Sequence, residues 1–219
     1  MTSPASAARP ELLYIHDPLC RWCYAMSPVI NRLQIEFAGR LDVSVLCGGM
    51  ARGEEVGPVG AGWDGIAKEI SRVEQVAGVR FGAAFRALGQ LGEYRYDSEP
   101  PSRAIVTFRQ LAQAPAQAVA FAHIVQAALF RDGLDLNEAA TYDALLVPFG
   151  VDAAEFRRRF VAPDTARATQ EEFAAVARIG VQGFPTSIVR VGEQGYVLAR
   201  GYQPYESLRQ GLEQLLKEQ

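Results

Sequence analysis

The stretch Cys20-Arg21-Trp22-Cys23 opens a helical pattern directly after the apolar run Glu11–His16 (ELLYIH) and a turn at residues 17–19. Two thiols that are two residues apart at the start of a helix can form a disulfide with little backbone movement. The positive end of the helix dipole favours the thiolate of the first cysteine. A thiolate that attacks a foreign disulfide, beside a second thiol that displaces the product, predicts a redox site.

The residues around this motif predict a βαβ unit. Residues 20–39 carry apolar side chains at helical spacing, and Pro28 within them predicts a kink. Residues 41–47 (LDVSVLC) alternate between apolar and polar positions and predict a second strand. Two strands joined through one helix are expected to be parallel, with a right-handed crossover.

The middle of the chain is expected to be helical. Residues 63–179 predict a bundle of about five or six helices, because their apolar residues recur at helical spacing. Breakers are expected at residues 99–101, 114–115, 132–133 and 148–150. The expected core stripes are Ile66, Ile70, Val73 and Val76; Phe121, Ile124, Val125, Ala128 and Leu129; and Phe173 with Val176.

Strand character returns after residues 183–185 (GFP). Thr186–Val191 and residues 196–200 predict a hairpin, and residues 205–216 predict an amphipathic helix. The order βαβ, helices, ββα predicts an α/β fold that is interrupted by an all-helical insertion domain.

Composition and charge restrict the classes of function. The 219 residues include 22 basic and 25 acidic ones, with a net charge of −3, so no basic surface for nucleic acid or for a membrane is expected. Residues 1–10 lack the pattern of a secretory signal, and no segment is apolar enough to span a membrane. Three cysteines do not make a disulfide scaffold. We therefore expect a cytoplasmic protein in which any disulfide is transient or catalytic.

Five segments of the sequence carry a resemblance to a known family: residues 14–18 (YIHDP), 20–24 (CRWCY), 48–50 (GGM), 180–186 (GVQGFPT) and 199–204 (ARGYQP). Together they resemble the DsbA-like thiol–disulfide oxidoreductase family. The similarity is greatest to its leaderless bacterial branch of predicted protein-disulfide isomerases, and looser to the FrnE-like proteins. The resemblance implies a thioredoxin fold, with a flexible tail at 1–10, a discontinuous thioredoxin-like domain at 11–55 and 182–219, and a helical insertion at 56–181.

The resemblance implies a role for individual residues. Cys20 corresponds to the attacking thiol, Cys23 to the resolving thiol, and Pro185 to a proline held cis that faces the disulfide. Pro28 corresponds to the kink proline of the active-site helix. The expected substrate-binding residues are Arg21, Trp22, Phe184 and Thr186.

The residue types at these positions fit those roles. Arg21 places a positive charge beside Cys20, which favours the thiolate. Trp22 offers an apolar face on which a substrate chain can lie. The Phe184 backbone, next to a proline that has no N–H group, is free to pair with a substrate strand.

Other titratable residues near the motif have less definite roles. His16 ends the first strand and could tune the Cys20 thiolate or carry a proton, although packing and hydrogen bonding are the more common role of such a residue. Asp17 and Glu36 are both near the motif in sequence, and either could accept a proton from Cys23.

A structural zinc site is the main alternative explanation of the two cysteines. Such a site usually has four ligands, often as two close pairs, and the only other candidates are Cys47, His16 and His123. We expect no metal, with Cys47 as a core residue and His123 in a structural role.

Two other functions remain open. One is a glutathione-dependent isomerase of small aromatic compounds on the same fold, which does not need the second cysteine, so Cys23 argues against it. The other is a non-catalytic binding module. For the oxidoreductase, the expected partners are protein or small-molecule thiols and disulfides, and no cofactor is expected beyond the redox-active disulfide. Glutathione is a candidate co-substrate. The sequence does not fix the substrate, the direction of exchange, the potential, the electron donor or the oligomeric state.

Overall fold

The computed structural model describes residues 9–112 and 116–217. The N-terminal part of these residues forms the predicted βαβ unit. β1 (Glu11–His16) is followed by α1 (Arg21–Glu36) and by β2 (Asp42–Cys47). The two strands are parallel, with Glu11 opposite Asp42 and His16 opposite Cys47. The predicted parallel pair is therefore confirmed.

The helix α1 ends at Glu36, three positions before the predicted stop at Gly39. Phe37 caps its C-terminus and is fully buried, so the apolar pattern continues beyond the last helical residue. Gly39 lies in the following turn with a φ of +79°, a conformation that glycine adopts without steric cost.

The middle of the chain contains seven α-helices within the described residues, where about five or six were predicted. The additional helices come from short elements, such as the five-residue α6, that are too short to show a period. An antiparallel pair of strands, each of only two residues, also lies in the middle of the chain. These elements are β3 (Gly57–Pro58), α2 (Trp63–Ala77), α3 (Ala83–Leu91), β4 (Arg95–Tyr96), α4 (Glu99–Leu111), α5 (Gln117–Phe130), α6 (Tyr142–Leu146), α7 (Ala153–Phe160) and α8 (Pro163–Arg178).

The predicted stripes and breakers in this stretch need two corrections. Val76 is 58% exposed, whereas Ile70 and Val73 on the same helix are fully buried, so the buried stripe of α2 ends before Val76. Residues 99–101 begin α4 instead of separating helices, because proline is tolerated in the first turn of a helix. The breaker predicted at residues 114–115 lies outside the described residues.

The C-terminal part supplies the predicted hairpin and the last helix. These elements are β5 (Thr186–Val191), β6 (Gln194–Arg200) and α9 (Tyr205–Lys217). β5 is antiparallel to β1 and to β6, which gives one four-stranded sheet in the order β2-β1-β5-β6. The two ends of the chain therefore meet in the sheet, and β1 and β5 lie side by side at its centre.

One continuous hydrophobic core joins the sheet to the helices. Leu12 and Val45 of the sheet belong to the same buried cluster as Phe108 on α4 and Phe121 on α5. Most of the predicted tail at residues 1–10 lies outside the described residues, and the domain boundaries at 55/56 and 181/182 stay a prediction.

Candidate active site

The sulfur of Cys20 caps the N-terminus of α1. Cys20 has an extended backbone, with φ −82° and ψ 118°, and its Sγ accepts a hydrogen bond from the Cys23 backbone N–H at 3.2 Å. The first N–H groups of a helix have no partner inside the helix, so a side-chain acceptor at this position is stabilising. The Cys20 sulfur therefore faces the partial positive charge of these groups.

The sulfur of Cys23 has different surroundings. Its side chain is fully buried, and burial, together with the neighbouring Cys20 sulfur, raises the pKa of the Cys23 thiol well above its ordinary value. The Tyr14 hydroxyl, also fully buried, donates to the Cys23 carbonyl oxygen at 3.0 Å. Cys23 is therefore a protonated thiol at neutral pH, held beneath Cys20.

The loop before β5 faces the Cys20 sulfur. Cys20 Sγ lies 3.5 Å from the carbonyl oxygen of Phe184, to which the thiol donates, and the Phe184–Pro185 peptide bond is cis. The Pro185 carbonyl accepts from the Gly201 N–H at 2.7 Å, and the Thr186 hydroxyl donates to the Gly183 carbonyl at 2.8 Å. Pro185 and Thr186 are buried, and their hydrogen bonds join the loop to Gly201 and to its own Gly183.

A glycine pair lies against the same loop. A Cβ atom on Gly48 would lie 2.0 Å from two ring carbons of Phe184, and one on Gly49 would lie 2.8 Å from the ring of Phe173. A hollow of about 590 Å³ is lined by this glycine pair, Met50, Arg52 and Phe184 among others. The absence of side chains on the glycines therefore leaves room for Phe184 beside an open groove.

Asp17, which precedes the motif in the chain, is hydrogen-bonded to residues from several other parts of the protein. Its carboxylate accepts from the Leu19 N–H at 2.9 Å, from the Met50 N–H at 2.7 Å and from the Ser98 hydroxyl at 2.9 Å. The Asp17 carbonyl accepts from Gln126 at 3.2 Å. Burial raises the pKa of the Asp17 carboxyl, against the effect of these hydrogen bonds.

The structure distinguishes the two carboxylates that the sequence offered as proton acceptors for Cys23. Asp17 is fully buried under the motif, whereas Glu36 is exposed at the far end of α1. The sequence has one local signal that favours Asp17 over Glu36 as the buried carboxylate. In the turn of residues 17–19, the Asp17 side chain accepts a hydrogen bond from the N–H group two residues later. Nothing in the sequence identifies Ser98 or Gln126, because their contacts with Asp17 span 81 and 109 residues.

The two residues between the cysteines lie in different surroundings. The Arg21 side chain is only 12% exposed, and it is paired with Glu69 on α2 and Tyr96 on β4. The Trp22 ring is partly exposed and lies 5.9 Å from the ring of Tyr202. Trp22 is therefore accessible to a substrate, whereas the guanidinium of Arg21 is occupied by the protein.

His16 lies beside the third cysteine. Its Nε2 is 3.7 Å from Cys47 Sγ, and its ring stacks on Tyr14 with centroids 5.2 Å apart. Burial, assisted by the positive charge of Arg109, lowers the pKa of His16 to about 3. Burial, with the negative charge of Glu172, raises the pKa of the Cys47 thiol well above its ordinary value. Both groups are therefore neutral at physiological pH.

His123 is part of an aromatic cluster on α5. Its ring stacks on that of Tyr24 at 6.0 Å, and burial, with the charge of Arg131, lowers its pKa. Across the ranges 9–112 and 116–217, no group of three or more His, Cys, Asp or Glu residues could hold a metal ion. In the same residues, no helix is long and apolar enough to cross a bilayer.

Comparison with known proteins identifies the family and the fold of this chain. A family model described as a DSBA-like thioredoxin domain matches residues 14–213. A candidate protein disulfide isomerase from Nitrosomonas europaea is 27% identical, with a TM-score of 0.83, and the match covers 96% of this chain and 99% of that one. These matches confirm the thioredoxin fold with its inserted helices.

Two further relatives carry more specific descriptions. The cytosolic disulfide reductase DsbM from Pseudomonas aeruginosa is 28% identical, with a TM-score of 0.80, and the match covers 95% of this chain and 100% of that one. DsbM has also been solved with GSH. The ClpXP adapter protein SpxH from Halalkalibacterium halodurans is 24% identical over 94% of this chain and 67% of that protein.

Proposed function

We propose that this chain, which belongs to the DSBA-like thioredoxin domain family, exchanges thiols and disulfides through Cys20 and Cys23. The observation that carries the proposal is the position of the Cys20 sulfur. It caps α1, accepts the Cys23 N–H at 3.2 Å and lies 3.5 Å from the Phe184 carbonyl. A sulfur so placed lies at a helix N-terminus, where it can act as the attacking group, and has a backbone surface beside it for a substrate.

In the first step, the Cys20 thiolate attacks a substrate disulfide, R–S–S–R′. A bond forms between Cys20 and the sulfur of R, and the bond between R and R′ breaks, so R′ leaves as a thiolate. Cys20 attacks first because its sulfur is at the helix N-terminus, whereas burial raises the pKa of Cys23 and keeps that thiol protonated.

In the second step, the Cys23 sulfur attacks Cys20 of the mixed disulfide. The Cys20–Cys23 disulfide forms, R leaves as a thiol, and the proton lost by Cys23 goes to the products. The substrate has then gained two electrons and the protein has lost two. Two molecules of a small thiol restore both cysteines and become a disulfide themselves, and the reverse sequence oxidises a dithiol.

The reducing direction, with glutathione as the electron donor and a cytoplasmic location, is our proposal for the physiological reaction. It is supported by the relative DsbM, which is described as a cytosolic disulfide reductase and has been solved with GSH. The hollow of about 590 Å³ beside Phe184 has room for part of an extended substrate peptide. In this proposal the Phe184 backbone pairs with the substrate, Trp22 and Tyr202 contact its side chains, and Thr186 supports the loop.

The experiment that tests this function traps the mixed disulfide. Reduced Cys23→Ser protein is incubated with glutathione disulfide or with insulin, and adducts are separated on non-reducing gels and identified by mass spectrometry. We expect both probes to form adducts on Cys20, because the resolving thiol is missing. The matched control is Cys23→Ser combined with Cys47→Ala, which should form the same adducts.

The other outcomes separate the alternatives. Glutathione adducts without insulin adducts would support a glutathione-dependent isomerase. Absence of any adduct on Cys20 would overturn the oxidoreductase and would support a non-catalytic binding module.

A further inference from the structure

The basic residue between the two cysteines is held by a clamp of two residues, Glu69 and Tyr96. Arg21 Nε donates to a Glu69 carboxylate oxygen at 2.6 Å, and Nη2 pairs with the same oxygen. Arg21 Nη1 donates to the Tyr96 hydroxyl at 2.7 Å. The guanidinium is thus bound on two sides, and its side chain is only 12% exposed.

The clamp also reaches the residue before Cys20. The Tyr96 hydroxyl donates to the Leu19 carbonyl oxygen, one residue before the helix cap. Glu69 is on α2 and Tyr96 is on β4, so both belong to the middle stretch and contact the motif over 48 to 77 residues of sequence. The middle stretch therefore contacts the backbone on the N-terminal side of Cys20 and the charge on its C-terminal side.

The charges in this cluster have opposite effects on the Cys20 thiolate. Arg21 interacts electrostatically with Cys20, and an unpaired cation there would stabilise the thiolate and thus the reduced protein. Glu69 cancels much of that charge because its carboxylate is in direct contact with the guanidinium. The other titratable groups that interact with Cys20 are Tyr14, Cys23 and Tyr96.

We propose that Glu69 is a positioning residue that sets the reduction potential of the Cys20–Cys23 pair by neutralising Arg21. With Glu69 in place, the thiolate is less stabilised, and the dithiol is a stronger reductant. This inference rests on the proposed exchange chemistry, and it assigns to Arg21 and Glu69 a role in the direction of that exchange.

The test measures the equilibrium of each variant with a glutathione redox buffer at pH 7. Glu69→Gln keeps an acceptor for Arg21 and removes the charge. We expect it to shift the equilibrium constant about fivefold toward the dithiol, which corresponds to a potential about 20 mV higher. The pH profile of Cys20 alkylation should move to lower pH in the same variant, which a purely structural role of Glu69 would not cause.

Two further variants check the sign and the site. Arg21→Met leaves the Glu69 charge unpaired near Cys20, so its potential should fall, and the double variant of Arg21→Met with Glu69→Gln should return close to wild type. Glu74→Gln is the matched control. Glu74 is on the same helix and pairs with Arg86 at 2.9 Å, so its loss should leave the potential unchanged.

The outcomes distinguish this inference from the proposed function. If Cys23→Ser forms mixed disulfides but Glu69→Gln and Arg21→Met shift the potential in the same direction, or not at all, the role of Glu69 is wrong and the exchange chemistry stands. If Glu69→Gln alone fails to fold, the rise in potential expected from Arg21→Met to the double variant still tests the effect of the Glu69 charge. If Cys23→Ser forms no adduct, the proposed function itself fails.

Discussion

Cys20 and Cys47 are both buried cysteines next to the ends of parallel strands, yet their sulfurs have different neighbours. Cys20 Sγ accepts a backbone N–H at a helix N-terminus, whereas Cys47 Sγ faces the neutral imidazole of His16 at 3.7 Å. The Cys47 N–H donates instead to Glu172, at 2.7 Å. Burial is similar at the two sites, with Cys20 5% exposed and Cys47 fully buried. The comparison teaches that the two sulfurs differ less in burial than in the groups they face, which are a helix N-terminus at Cys20 and the His16 ring at Cys47.

The largest expected difference between the two sites is in activity. Cys20→Ser should lower the rate of glutathione-dependent insulin reduction by at least about 1000-fold, because a hydroxyl cannot form the mixed disulfide. Cys47→Ser should stay within about twofold of wild type, because the proposed exchange does not use this fully buried thiol. Equal losses in the two variants would remove the distinction between the sites.

Asp17 interacts electrostatically with Cys23, the partner of Cys20, and also with Cys47, so it is close to both sites. Asp17→Ala would leave three donors without their partner, and we expect the free energy of unfolding to fall by about 3 kcal/mol. Urea denaturation measures this loss. Glu36→Ala is the control, and this exposed carboxylate should change stability by less than about 0.5 kcal/mol. A loss for Asp17→Ala as small as that of the control would contradict the described network.

The neutral state of His16 predicts a pH dependence at the Cys47 site. Folded His16 has a pKa of about 3, against an ordinary value of 6.5, so between these values the unfolded chain binds one more proton. Stability contributed by neutral His16 is present above about pH 6.5 and falls with acidification, by up to about 1.4 kcal/mol per pH unit.

The measurement compares wild type with His16→Gln. Urea denaturation at pH 7 and pH 5 should show that the variant loses about 1 to 2 kcal/mol less than wild type on acidification. The comparison between the two proteins cancels groups that titrate in both, including Asp17. Equal losses would mean that His16 is protonated in the folded protein.

The smallest expected effect concerns Gly48, which lies directly after Cys47 and supports the loop that faces Cys20. In Gly48→Ala, the new Cβ would lie 2.0 Å from the Phe184 ring, so the ring must move, and we expect the loop to shift with it. We expect kcat/KM for disulfide reduction to fall about fivefold with little loss of secondary structure. Gly65→Ala is the control, because a Cβ there meets no atom within 4 Å. An unchanged kcat/KM in Gly48→Ala would show that the position of Phe184 does not limit the reaction.

The sequence predicted the sheet and its helices well, because their signals are local. The bounds of β1 and β5 match the predicted ones, and β1 and β2 pair in parallel as expected from a strand–helix–strand order. The prediction of Val76 as a core residue was wrong, because helical periodicity alone does not show where a buried stripe ends. The paired two-residue strands β3 and β4 are too short for any alternation to be visible.

The site shows the same division at the level of side chains. The sequence predicted the cysteine pair and its position at a helix start, since both depend on neighbouring residues. It also predicted a positive charge beside Cys20 at Arg21, but it did not predict that Glu69 pairs with that charge. That contact joins residues 48 positions apart, and a pattern of neighbouring residues does not predict contacts over such a separation in sequence.

The amino-acid order by itself determined where the two thiols are, which of them begins a helix and which segments can pair as strands, because propensity, spacing and capping act over a few residues. The tertiary structure alone decided what each thiol faces. It brought the Phe184 carbonyl to Cys20, Glu69 to Arg21 and His16 to Cys47. Electrostatic and hydrogen-bonding effects on a sulfur depend on distances of a few ångströms in space, and folding creates those distances between residues far apart in the chain.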